Sequence, residues 1–90
     1  MPRTDPLESA TRNAFASALR DLRRESGYSQ EGLALAAKVD RTFVSGLERG
    51  LHNPTLYTMY KLAPLLGVSP PELSAVIHQH FLRGKRIRRR

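Results

Sequence analysis

Helix start and stop signals recur at such short intervals along this chain that it can form only brief helices, each with one apolar face to bury. Gly27, Gly50 and Gly67 are the stops, and Ser29, Asp40, Thr55 and Ser69 are N-cap residues. A cap side-chain oxygen accepts a bond from a backbone N–H that the first helical turn leaves free. Between these marks the apolar residues fall at helical spacing. Phe15, Ala18, Leu19 and Leu22 stand at i, i+3, i+4 and i+7. Leu33, Ala34 and Ala37 make a small face on a second helix, and Val44 and Leu47 point inward from a third over residues 41–49. Leu56, Met59, Tyr60, Leu62, Ala63 and Leu66 mark a fourth, and Leu73, Val76, Ile77 and Phe81 a fifth. Ser69-Pro70-Pro71-Glu72 joins capping-box spacing to a proline suited to a first turn. Pro64, inside the fourth helix, removes a bond to the Tyr60 carbonyl and predicts a kink. No run alternates with the period of a strand, so the expected fold is an all-α, five-helix bundle.

The 90 residues suit one domain. Cysteine is absent, which excludes a disulfide framework and a thiolate metal site. No segment has the build of a signal peptide or the length of a membrane span, so a soluble cytoplasmic protein is expected. The formal charge is +7, from 15 bases and 8 acids, and six of the bases lie in residues 83–90. Nine bases against eight acids remain, so the body is close to neutral. The expected division is an arm over 1–12, a domain over 13–82 and a basic tail over 83–90. A basic tail is usually a solvated end, although it can also lie along phosphates or enter a minor groove.

The second and third helices are joined by a few residues, the spacing of a helix-turn-helix. The stretch Leu19-Arg-Asp-Leu-Arg-Arg-Glu-Ser-Gly-Tyr-Ser-Gln-Glu-Gly-Leu-Ala resembles the opening of the phage-repressor and Cro family, also called the xenobiotic-response-element type. Val39-Asp-Arg-Thr-Phe-Val-Ser-Gly-Leu-Glu-Arg-Gly resembles its recognition helix, and Asn53-Pro54-Thr55, Leu62-Ala63 and Leu66-Gly67-Val68-Ser69 continue the match in register. The block from Asp40 is also similar to the controller proteins of restriction-modification systems. The resemblance implies a lambda-repressor-like domain whose third helix enters the major groove with its N-terminal residues at base edges.

Those residues are Arg41, Thr42, Phe43 and Ser45. An arginine can donate two parallel bonds to guanine O6 and N7, and a threonine can offer a methyl to thymine or a hydroxyl to a base or phosphate. Phe43 has two readings, apolar contact with a thymine methyl or packing against its own domain. Gln30 stands at the first turn of the second helix, where relatives touch a phosphate; Arg49, Asn53 and Arg20 are weaker phosphate candidates. Arg23 and Glu48 are expected, by the resemblance, to form a semi-buried ion pair tying the first helix to the third. Gly46 departs from the family's long polar residue: either the backbone approaches DNA closely, or specificity rests on fewer contacts and DNA shape. Lys38 occupies a turn position where glycine is usual, so a positive φ is expected there. Gly32 replaces the glutamate that would complete a capping box with Ser29.

The resemblance implies a sequence-specific transcriptional regulator that binds double-stranded DNA as a homodimer on a palindromic operator, with no second domain to act as a sensor. Val76, Ile77 and Phe81 are the expected dimer surface, with Leu51 and Tyr57 contributing. The alternative is a protein-interaction module of the same fold, an antitoxin or coactivator-like adaptor. No cofactor, metal or small-molecule ligand is indicated: His78 and His80 point apart on a helix, and no glycine-rich phosphate loop, paired carboxylates or nucleophile with a base supports an enzyme.

Overall fold

The computed structural model describes the backbone of residues 5–88 and the side chains as far as Gly84. Helix α1 spans Pro6–Glu25, α2 Gln30–Ala37, α3 Arg41–Glu48, α4 Leu56–Leu62 and α5 Pro70–Arg88, with a 3₁₀ turn over Pro64–Leu66. Among the described residues there is no strand. The all-α, five-helix expectation holds, and so do the caps at Ser29, Thr55 and Ser69. Ser29 Oγ accepts from the Gly32 N–H at 2.9 Å, and Thr55 Oγ1 accepts from Thr58 at 3.1 Å. The Ser69–Glu72 box is reciprocal, with Ser69 N–H donating to Glu72 Oε1 at 2.7 Å and Glu72 N–H donating to Ser69 Oγ at 3.2 Å. Those bonds hold the Glu72 carboxyl below its usual range. Asp40 takes the N-cap position of α3, but its side chain makes no cap bond.

Phe15, Leu19, Leu33, Val44, Leu47 and Leu73 are completely buried at the centre, one or more from α1, α2, α3 and α5, with Leu62 of α4 beside them. Apolar burial of this kind is the main stabilising term in a domain without disulfides.

Three boundaries differ from expectation. The arm expected over 1–12 is helical from Pro6, because Asp5 Oδ1 accepts the Leu7 N–H at 2.9 Å and Pro6 stands where a missing N–H costs nothing; Met1 to Thr4 lie outside the described residues. Helix α5 does not give way at Gly84 but continues to Arg88, and only residues 89–90 of the expected tail lie outside the described backbone. The two extensions support one another: Pro6, Ser9, Ala10 and Asn13 of α1 line a cleft with His80, Phe81 and Gly84 of α5, and His80 Nε2 lies 3.1 Å from Asp21 Oδ2. Pro64 does not kink a longer α4. That helix stops at Leu62, and the proline opens the 3₁₀ turn instead.

Candidate nucleic-acid interface

Helix α3 is gripped from behind. Its inward residues Val44 and Leu47 are in the core, and Glu48 is 3% exposed. An isolated buried carboxylate would be costly, but this one is fully engaged. Arg23 approaches it with two donors, Nε at 2.5 Å from Oε2 and Nη2 at 3.0 Å from Oε1, while Nη1 donates to the Tyr28 carbonyl at 2.9 Å. Gln30 Nε2 adds a further bond to Oε1 at 3.0 Å. Burial pushes the Glu48 carboxyl up, but the hydrogen bonds from Arg23 and Gln30 and the charges of Arg23 and Arg20 outweigh it and hold the group below its usual range. The hydrogen bond to Glu48 in turn raises the Arg23 guanidinium.

Two more arginines of α1 close the C-terminal end of α3. Arg20 Nη1 donates to the Glu48 carbonyl at 2.7 Å, and Arg12 Nε donates to the Gly50 carbonyl at 3.0 Å. Cations there satisfy carbonyls that lack a helical partner and oppose the negative end of the helix dipole. At the other end, the turn from α2 into α3 is set by Lys38, at φ 61° and ψ 47°. The Lys38 N–H donates to Leu35 and the Val39 N–H to Ala34, so the chain reverses within one residue.

With its C-terminal half fixed, α3 turns its N-terminal half outward. Arg41 and Thr42 are exposed and Ser45 is half-buried. Arg49 is exposed at the end of the helix, and Asn53 is exposed in the following loop. Phe43 is half-buried and packs against the core. It borders a groove of about 330 Å³ with Val39, Asp40, Tyr57 and Lys61. Gln30 and Arg20, read as phosphate candidates, are bonded to Glu48. The Arg23–Glu48 pair is present as expected.

Gly46 has an explanation that neither sequence reading reached. It is buried, and a Cβ there would come within 2.6 Å of His52 Nε2 and 2.7 Å of Cδ2. The His52 ring comes back from the loop after α3 and stacks on Phe43, with centroids 6.2 Å apart and planes at 16°. His52 was not among the expected site residues; the signal for it was a glycine where the family carries a long side chain. Arg12 was also missed, because it was assigned to the arm.

The expected dimer residues Val76, Ile77 and Phe81 are half-buried. Val76 and Ile77 pack against the chain's own core, and Phe81 is half-buried, stacked on His78 and facing α1. The large apolar side chains left exposed near α4 are Leu51, Leu56, Tyr57 and Tyr60. Among the described residues no group of three His, Cys, Asp or Glu side chains could hold a metal, and no helix is long and apolar enough to cross a membrane.

Known proteins are similar to this chain in sequence and fold. The helix-turn-helix family model matches residues 19–73. An uncharacterized HTH-type transcriptional regulator, y4dJ, of Sinorhizobium fredii is 44% identical over 62 residues, which cover 69% of this chain and 80% of that protein. The restriction-modification controller C.AhdI of Aeromonas hydrophila superposes with a TM-score of 0.68 at 43% identity, over 72% of this chain and 94% of that one. The controller C.Esp1396I, solved as a tetramer with its natural 35 base-pair operator, superposes at 0.72 with 28% identity, over 80% of this chain and 95% of that one. The chain therefore belongs to the helix-turn-helix family of transcriptional regulators that its Leu19 and Val39 segments resemble.

Proposed function

We propose that this protein is a cytoplasmic, non-enzymatic transcriptional regulator that binds double-stranded DNA as a homodimer and reads an operator with the N-terminal half of α3, at its own or a neighbouring promoter. The observation that carries the reading is the asymmetry of α3. One end is held by three arginines of α1, while Arg41 and Thr42 at the other end are exposed. A helix held in this way and offering an exposed guanidinium at its N-terminus is suited to the major groove, where arginine pairs with guanine. Arg41 and Thr42 read bases, Ser45 supports them from the flank, and Arg49 and Asn53 hold phosphates. Phe43 positions the helix and offers its outer edge to a thymine methyl. Gln30 acts mainly through Glu48, and the N–H groups at the start of α2 remain available to a phosphate.

A dimer places two such helices on two half-sites. Leu51, Leu56, Tyr57 and Tyr60 supply most of its apolar contact, with the outer edges of Val76, Ile77 and Phe81 at the margin. The narrower role proposed is that of a restriction-modification controller, the role named for the relatives C.AhdI and C.Esp1396I.

The test is fluorescence anisotropy of wild type and Arg41→Ala at about 150 mM salt, a physiological ionic strength, on the protein's own promoter DNA and on scrambled DNA. Wild type should prefer promoter DNA, and the variant should lose about 1–3 kcal/mol of that preference. Equal binding to both DNAs, unchanged by the substitution, would refute base reading by α3 and favour the protein-interaction alternative.

A further inference from the structure

The recognition helix carries a notch at Gly46, and the notch is filled from outside the helix. His52 belongs to the loop that follows, yet its imidazole occupies the space of a side chain on residue 46 and lies against Phe43. His52 is exposed. Among the described residues no hydrogen bond or ion pair engages its ring nitrogens. An exposed imidazole seated on the helix beside Phe43, its ring nitrogens without a partner among the described residues, can engage a partner beyond the domain.

We infer that Gly46 and His52 act as one unit of the DNA-reading surface, the imidazole taking the place of the missing side chain and contacting DNA from α3. The inference rests on the reading of α3 given above. It explains why a helix interior would keep glycine, which weakens a helix relative to alanine. A Cβ at 46 would push the ring off the helix, and that displacement is easy because His52 is exposed and its side chain can rotate.

The unit makes a prediction that neither residue makes alone. Gly46→Ala should fold at least as stably as wild type, since alanine favours the helix and the ring can swing away, yet it should bind DNA less well. His52→Ala should weaken binding about tenfold, the scale of one hydrogen bond to a charged group. Gly46→Ala should weaken it to a similar degree, and the double variant should be no worse than either single one, because both remove the same contact.

Anisotropy titrations of the three variants, with Arg41→Ala alongside, on promoter and scrambled DNA, together with thermal melts of each, decide the matter. A loss on promoter DNA alone places the ring at a base edge, and an equal loss on both DNAs places it at a phosphate; either supports the inference. His52→Gln, which keeps an N–H donor, should recover part of the affinity. If His52→Ala binds as wild type while Arg41→Ala loses its preference, the inference is wrong and the reading of α3 stands. If Gly46→Ala binds as wild type while His52→Ala does not, the two residues are not a unit. If Arg41→Ala also keeps its preference, the reading of α3 itself has failed.

Discussion

Lys38→Gly should stabilise this protein, although it removes a long side chain and adds chain freedom. Lys38 is the only non-glycine residue with a positive φ among the described residues, at φ 61° in the turn that aims α3. Elsewhere the same reversal is made by glycine, at Gly27 after α1, Gly50 after α3 and Gly67 after the 3₁₀ turn. For an L-residue the left-handed region costs about 1–2 kcal/mol. Lys38 lies near the centre of that region, so the lower figure applies. Glycine removes the cost but has more freedom to lose on folding, an offset of about 0.4–1 kcal/mol. The exposed Lys38 side chain makes no ion pair among the described residues, so its loss subtracts nothing. The net gain is up to about 0.6 kcal/mol, or up to about 2–5 °C in the melting temperature of a domain this size. Thermal and urea melts of wild type, Lys38→Gly and Lys38→Ala measure it. The glycine variant should raise the urea midpoint without changing the slope, and alanine, which keeps the strain, should not. A glycine variant no more stable than the alanine one would refute the argument from backbone strain.

Other outcomes follow from the same contacts. Arg23→Ala leaves Glu48 buried without its main partner and should cost about 3–5 kcal/mol, read by urea unfolding. Because the Glu48 carboxyl is held below its ordinary value of 4.5, its contribution to stability is in place above that pH. It should be lost as the pH falls through the lower folded value, so a stability profile from pH 7 to 2 should decline less steeply for Glu48→Gln. Gly50→Ala combines a φ of 73° with a Cβ 2.7 Å from Asn13 Oδ1, and should lower the melting temperature where Lys38→Gly raises it. Gly84 lies within α5 with open space around its Cβ position. Gly84→Ala should therefore add helix signal in circular dichroism and up to about 1 kcal/mol of stability, whereas a chain that left the helix at residue 84 would show neither.

Much of this protein is local, and local features are legible in a sequence. Caps at Ser29, Thr55 and Ser69, the stops at Gly27, Gly50 and Gly67, and the helical spacing of Phe15, Leu19 and Leu22 depend on residues a few positions apart. The left-handed turn at Lys38 was expected through family resemblance, because glycine is usual at that turn position. The Arg23–Glu48 pair, 25 residues apart, came only through family resemblance. The tertiary structure decided what depends on distant segments meeting. Pro6 to Arg12 and the residues beyond Gly84 carry weak apolar patterns, yet α1 begins at Pro6 and α5 continues to Arg88. Phe43, Val76 and Ile77 could each have faced outward by periodicity alone; in the folded chain they are half-buried against the core. Gln30 and Arg20 looked like free polar side chains until α3 arrived beside them with an acceptor. Gly46 read as a loss in the recognition helix, because no spacing rule connects it to His52. Only when the loop after α3 folds back does the glycine become the space that the imidazole needs.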